Sequence, residues 1–341
     1  MATTKKFPER EEKDYQQILT DSVIARMEES KALNWSKPWI SCSEAPFNPV
    51  TGTRYRGANF VSCLTAGFAD PRFFTFNNVR ELAVKTGQDI HVKKGAKGIP
   101  IFKALQVSYL DKKEGEPDEE GKLRSFVKMK YAGTVFNGAQ IEGLEPWIQK
   151  VNKVQDFQEA ELLSLALQER TNLIVEHSEM GRAYYTQLGH KVHMPNKDLF
   201  KSSAAYYDTL AHEFGHSTGP ALGRDMTGTK GSAAYAKEEL VAELTSMFVC
   251  AELGIPHDPA AHENHAAYLE SWLQCLKGDK NLIFKAAGQA SKSTEFQMKH
   301  LQGYKLSHGL VDQVEGQSNK LESKIILPPA KQIARPALVA V

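Results

Sequence analysis

No other stretch limits what this chain can fold into as tightly as His212, Glu213, Phe214, Gly215 and His216. Residues i and i+4 share one face of an α-helix, so a helix here points both imidazoles at a single ion. Zinc accepts two His nitrogens and a carboxylate and keeps a fourth position for water. Glu213 stands beside the first imidazole, where a carboxylate can take a proton from that water. The flanks predict the helix. Ser202 or Ser203 caps its start, Gly219 and Pro220 end it, and Tyr206, Tyr207, Leu210 and Phe214 form its apolar side. Three fixed positions also arise by chance, so the reading needs a third ligand.

Residues 232–243 predict a second helix, with Ser232 as its cap and Gly254 as its stop. Glu239 and Glu243 are again i and i+4. Glu239 is the expected ligand, and Glu243 the carboxylate that hydrogen-bonds a ligating His from behind. Spacing does not separate Glu238 from Glu239, and Glu238 is the alternative. A glutamate is usually a solvated helix residue. These bracket Leu240 and Val241 on a helix that runs on through Leu244, Met247, Phe248 and Val249, which predicts burial.

The length of 341 residues suggests two domains, or one with a large extension. A net charge of +1 gives no overall steering toward polyanions. There is no apolar run long enough to span a membrane and no apolar core within residues 1–13, so the expected location is the cytoplasm. Cys42, Cys63, Cys250 and Cys275 are scattered and read as free thiols. No cluster of hard oxygen ligands suggests a magnesium nuclease.

Along the chain, residues 8–33 read as an amphipathic helix carrying Tyr15, Ile18, Leu19, Val23, Ile24 and Met27. A loop-like region follows with Trp35, Trp39, Arg54, Tyr55 and Arg56. Aromatic faces interleaved with arginines suit stacking on unpaired bases and pairing with phosphates; they suit a structural turn with buried tryptophans equally well. After Phe73, Phe74 and Phe76, Asn77 or Asn78 caps a short helix ending at Gly87. Residues 88–102 read as strand, glycine turn, strand, with Lys93, Lys94 and Lys97 as a cationic tip that a phosphate chain can approach. Residues 111–122 are acidic and without a core, a hairpin tip or loop. A strand over 126–136 and a turn at Asn137 and Gly138 close the first half near residue 145.

The second half opens with a helix over 155–171. Short strands follow at 183–185 and 191–195, where a substrate backbone could pair with a sheet edge and Tyr184 or Tyr185 could line the cleft. His190 and His193 read as exposed strand residues, and His262, Glu263 and His265 as an unpartnered group. Helices over 260–277 and 279–304 precede a tail that reads as partly packed.

The first half resembles the N-terminal single-stranded-DNA-binding domain of the ArdC antirestriction family. The likeness rests on W-x-K-P-W at 35–39, N-P-x-T-G-x-x-Y-R-G-x-N at 48–59, Thr75 and Phe76, V-x-K-G-x-K-G at 92–98 and T-V-F-N-x-x-Q-I-E-G-L at 134–144. The second half is similar to the zincin metallopeptidase domain of that family through Ala183, Tyr184 and Tyr185, the stretch 206–219, Arg224, and 235–243, with Ser271, Trp272, Leu273, Lys285, Ala286 and Ala287 further on. Ser217 departs from a usual Trp, and His190 from a common Asp.

The resemblance implies an α+β chain of two domains. A mixed α/β DNA-binding domain spans 8–145, a mostly helical zincin-like domain with a small sheet spans 150–305, and a tail spans 306–341. It implies a protein of a mobile element that protects incoming DNA during conjugation, with Trp39, Arg54, Tyr55, Arg56, Asn59, Phe76, Lys93, Lys94 and Lys97 on the DNA. Zn2+ would be held by His212, His216 and Glu239, with Glu213 catalytic and Glu243 in support. The expected partners are single-stranded DNA, duplex more weakly, and a host protein substrate that is DNA-bound or a restriction component. The rival is a non-enzymatic DNA-occluding protein with a structural zinc site.

Overall fold

The computed structural model describes residues 13–32, 44–111, 122–148, 157–255 and 266–310. Trp35, Trp39, Cys42, most of the acidic stretch, the His262–His265 group and the tail beyond residue 310 lie outside the described residues.

The expected α+β architecture is present. The first helix, α1 (Tyr15–Ala32), buries Leu19, Val23 and Met27 and leaves Ile18 exposed. A short α2 (Ala58–Thr65) follows, then β1 (Phe73–Thr75), which turns directly into α3 (Phe76–Thr86). The cap of α3 is Thr75, not an asparagine. Its hydroxyl accepts the Asn78 N–H at 3.2 Å while Asn78 Oδ1 accepts the Thr75 N–H at 3.3 Å. Asn78 is the returning half of a capping box, which also binds the Asn48 amide at 2.9 Å.

Residues 88–102 form the expected strand, turn and strand, but the two strands do not pair with each other. The first, β2 (His91–Val92), pairs with β5 (Ile141–Glu142), and the second, β3 (Ile99–Asp111), pairs with β4 (Lys122–Asn137). The cationic turn therefore crosses between two sheets. Alternation shows that a residue is in a strand but not which strand it pairs with. The order in the larger sheet is β1-β4-β3, and beyond β1 the last two continue as a two-stranded ribbon.

In the second half α4 (Gln158–Thr171) leads into β6 (Ile174–Ser178), which sequence reading missed, then β7 (Tyr184–Thr186) and β8 (Lys191–Pro195). β6 runs parallel to β8 and β7 antiparallel, so β7 is a sheet edge. Among the described residues four α-helices follow: α5 (Ser203–Ser217), α6 (Ala233–Leu253), α7 (Ala266–Gly278) and α8 (Leu282–Ser307). Among the described residues no helix is long and apolar enough to cross a membrane.

The two halves share a core. Leu19, Val23, Met27, Phe60 and Phe102 from the first pack with Leu240, Leu244, Phe248, Trp272, Ile283 and Phe284 from the second. The Phe60 and Phe248 rings lie 4.4 Å apart, and Phe102 meets Phe284 edge-on at 4.9 Å. Each such side chain contributes about 1.5–3 kcal/mol on burial, so the metal helices are braced from behind by the N-terminal half. Polar bonds span the same seam, including Thr20 Oγ1 to the Lys280 carbonyl at 2.8 Å.

Candidate metal centre

The helix α5 begins where the sequence predicts. Ser202 Oγ accepts the Ala205 N–H at 3.0 Å, and α6 repeats the device with Ser232 and Tyr235 at 3.1 Å. Leu210 and Phe214 seat α5 in a core with Val192 and Met194 of β8. Its opposite side lies on α6. A Cβ on Gly215 would stand 3.1 Å from Ala242 Cα and 3.2 Å from Thr245 Cβ. Glycine at this otherwise unspecified motif position lets the helices touch. Ser246 Oγ fixes their register by donating to the Asp208 carbonyl at 2.9 Å.

This approach brings three donors together. One ligand atom each from His212, His216 and Glu239 lies within 4.8 Å of the other two. Nε2 of His212 stands 3.4 Å from Glu239 Oε2, and Nε2 of His216 stands 3.6 Å from Oε1. His212 and Glu239 are buried, and His216 is nearly so. Burial alone would raise the Glu239 carboxyl. The hydrogen bond from His212 and the charges of His212 and His216 outweigh it and hold Glu239 at about 2, helped by the Tyr235 hydroxyl. Two imidazoles and an ionised carboxylate converging in a buried recess are the donor set of a divalent-metal site.

Each imidazole has a carboxylate behind it. Glu243 Oε2 lies 3.5 Å from His212 Nδ1, and Glu238 Oε1 lies 3.2 Å from His216 Nδ1. Glu238, the alternative ligand, thus stands outside the three-atom cluster and behind a ligand candidate. Arg224 holds it with two bonds, Nε to Oε2 at 3.1 Å and Nη2 to Oε1 at 2.9 Å. The same guanidinium donates to the Gly215 carbonyl at 2.6 Å and to Thr218 Oγ1 at 3.0 Å, tying the end of α5 to α6. Sequence reading gave Arg224 no role, because nothing local links it to a glutamate in the next helix.

Glu213 is buried, and its Oε2 has no hydrogen-bond partner among the described residues. Burial pushes its carboxyl up, against the pull of the two imidazoles. The Tyr185 backbone N–H also reaches it, which puts the β7 edge beside the site. Tyr184 is exposed and stacks on His193 at 4.5 Å. Neither departure from the family pattern touches the cluster. Ser217 Oγ donates to the Phe214 carbonyl at 2.9 Å, and His190, at φ 49°, faces the Tyr185 hydroxyl at 2.9 Å.

The nucleic-acid candidates fare differently. Tyr55 is buried edge-on against Phe73 at 6.2 Å, and burial raises its hydroxyl's pKa, so it is core and cannot stack on a base. Asn59 is spent on the fold. Its amide donates to the Phe102 carbonyl at 2.9 Å and its oxygen accepts the Phe102 N–H at 2.7 Å. Arg54 pairs with Glu252 and Arg56 with Glu295, both from the other half. Phe76, Lys93, Lys94 and Lys97 are exposed, though Lys93 Nζ also reaches the Ala139 carbonyl at 2.9 Å.

The helix pair and its sheet define a class. Residues 164–289 match the family model of a zincin-like metallopeptidase, and residues 13–136 that of the N-terminal domain of anti-restriction factor ArdC. The metal-free crystal structure of the antirestriction ArdC protein from the R388 plasmid is 33% identical, with a TM-score of 0.64 over 85% of this chain and 99% of that one. Its Mn(II)-bound structure gives 31% and 0.59. The uncharacterized protein y4eC of Sinorhizobium fredii is 32% identical over 86% of this chain and 94% of its own length. A DNA primase TraC of Escherichia coli is 36% identical over 83% of this chain, which spans 27% of that primase. This chain belongs to the ArdC family.

Proposed function

We propose that this protein is a zinc-dependent peptidase tethered to single-stranded DNA, and that it protects incoming mobile DNA from restriction in the recipient cytoplasm. The observation that carries the peptidase half is Glu213, a buried carboxylate beside the His212–His216–Glu239 cluster with one oxygen unpartnered among the described residues. A structural site has no use for such a base. Its four positions are all filled by protein donors.

His212, His216 and Glu239 would hold the ion. Bound zinc supplies Lewis-acid polarisation of the scissile carbonyl and a water of lowered pKa. Glu238 and Glu243 keep each Nδ1 protonated, so each Nε2 presents its lone pair inward. Glu213 takes a proton at its free oxygen and returns it to the leaving amine. The β7 edge offers backbone groups to an extended peptide. The kinship to the R388 protein supports antirestriction, and tethering to DNA would raise the effective concentration of a DNA-bound protein substrate.

Glu213→Gln in the full chain tests this reading. Zinc content and oligonucleotide binding should persist, while cleavage of denatured casein and protection of transferred plasmid DNA are lost. Protection that survives loss of cleavage would move the function to DNA occlusion.

A further inference from the structure

Of the residues expected on the DNA strand, Tyr55 and Asn59 serve the fold and Arg54 and Arg56 are paired, while Phe76, Lys93, Lys94 and Lys97 stay exposed. We propose that single-stranded nucleic acid binds the face of the β3–β4 ribbon that carries Lys103, Lys128, Lys130 and Phe126; the proposal rests on the strand-binding reading above.

The register places these side chains together. Lys103 is opposite Lys130, Leu105 opposite Lys128, and Val107 opposite Phe126, and directly opposed residues of an antiparallel pair share a face. A bulge makes this possible. Ile99 and Ile101 pair with Val135 and Gly133, but Phe102 then pairs with Tyr131, leaving Ala132 as the extra residue. Before the bulge the odd residues of β4 lie with the odd residues of β3, in a core with Tyr55 and Phe73. After it the even residues of β4 do. Without the bulge, the lysines of β4 would point away from Lys103.

The other face of the ribbon's base is covered. Tyr131 stacks on Tyr15 of α1 at 3.9 Å, Gln16 Nε2 donates to the Met129 carbonyl at 3.0 Å, and Phe102 enters the shared core. The lysine face is turned to solvent. Lys103, Lys128 and Lys130 are exposed and join no ion pair among the described residues, and Phe126 is 49% exposed. Same-face residues recur about every 6.8 Å along a strand, a spacing that lets successive lysines follow an extended phosphate chain. Like charges placed directly opposite are destabilising, so the Lys103–Lys130 pair costs stability until a polyanion neutralises it. A local rule broken without an internal remedy marks a functional surface.

The apolar members select the occupant. Phe126 and Val107, in the row beyond Leu105 and Lys128, give unpaired bases a surface to stack on next to the cations. A ribbon in a duplex groove instead needs polar groups aimed at base edges. The exposed Lys93, Lys94 and Lys97 turn leads directly into β3 at Ile99, and Gln140, just past β4, binds the Lys97 carbonyl at 2.9 Å.

The test uses the full chain, a fluorescent oligothymidylate and a duplex of equal length, titrated across a salt series. The triple variant K103Q/K128Q/K130Q should flatten the slope of log affinity against log salt by about 2 and weaken single-strand binding roughly 50-fold near 0.15 M salt. F126A should weaken it roughly 5- to 100-fold with little change in slope. Thermal melting should be unchanged or higher in the triple variant. Wild-type protein that binds no oligonucleotide at low salt removes strand binding itself, and the ribbon with it. Wild-type binding that both variants retain in full overturns the ribbon alone. Loss confined to the duplex overturns the assignment to single strands.

Discussion

The metal cluster is legible from its residues, whereas the Arg54–Asn59 segment suits a ligand surface and a structural turn equally and is assigned to DNA only by resemblance, and the fold treats the two in opposite ways. His212 and His216 face the same point because helical periodicity puts them there. Glu239 joins them from α6, where it is buried and ionised. In the other segment Tyr55 goes into the core, Asn59 closes a backbone pair on Phe102, and Arg54 and Arg56 reach acids of the second domain. Spacing within one helix is a geometric statement. An aromatic beside arginines is only a composition, and core, seam and ligand surface all use it.

The sharpest break between the two regions should appear on removing donors. Glu239→Gln should strip the metal on dialysis, read as metal per chain, whereas Arg56→Gln should leave metal content unchanged. Glu238→Gln and Glu243→Gln should each weaken metal affinity by about 10–100-fold, measured by competition with a chelator. Wild-type affinity in Glu238→Gln would return that residue to a purely structural role.

Arg224→Leu comes next. It strips the nearly buried Glu238 of its guanidinium, whose own side chain is only 4% exposed. Breaking such a pair costs about 3–5 kcal/mol, and Tm should fall by several degrees. Tyr55→Ala should cost a similar amount, about 3–5 kcal/mol, as a large core side chain, while Tyr55→Phe should bind oligonucleotide like wild type. A specific loss of binding in folded Tyr55→Phe would restore it to the ligand surface. Arg54→Ala and Arg56→Ala should each change stability by no more than about 1 kcal/mol, as exposed pairs do.

The smallest effect is one of pH. Burial acts to raise Glu161, but hydrogen bonds from Lys197 and Tyr207 lower it overall. A carboxyl depressed in the folded state stabilises above its unfolded pKa, about 4.3, and that stability is lost as pH falls through the folded value. Glu161→Gln should flatten this part of the acid limb of a Tm-against-pH curve. The change should be slight, since the group is half exposed.

The sequence by itself determined what is local. It fixed the caps and stops of α5 and α6, because Ser and Gly act within one turn. It paired the two His, because four residues close a helical turn, and it marked β7 and β8 by alternation. Tertiary structure decided what needs a partner from elsewhere. Glu239 and not its neighbour enters the cluster because α6 meets α5 at Gly215 in one rotation, which a 100° step per residue cannot announce without the facing helix. Arg224 found Glu238, β2 found β5 and α1 found the zincin-like half for the same reason. Such contacts depend on which surfaces meet, and the identity of the residues on one segment does not specify the other surface.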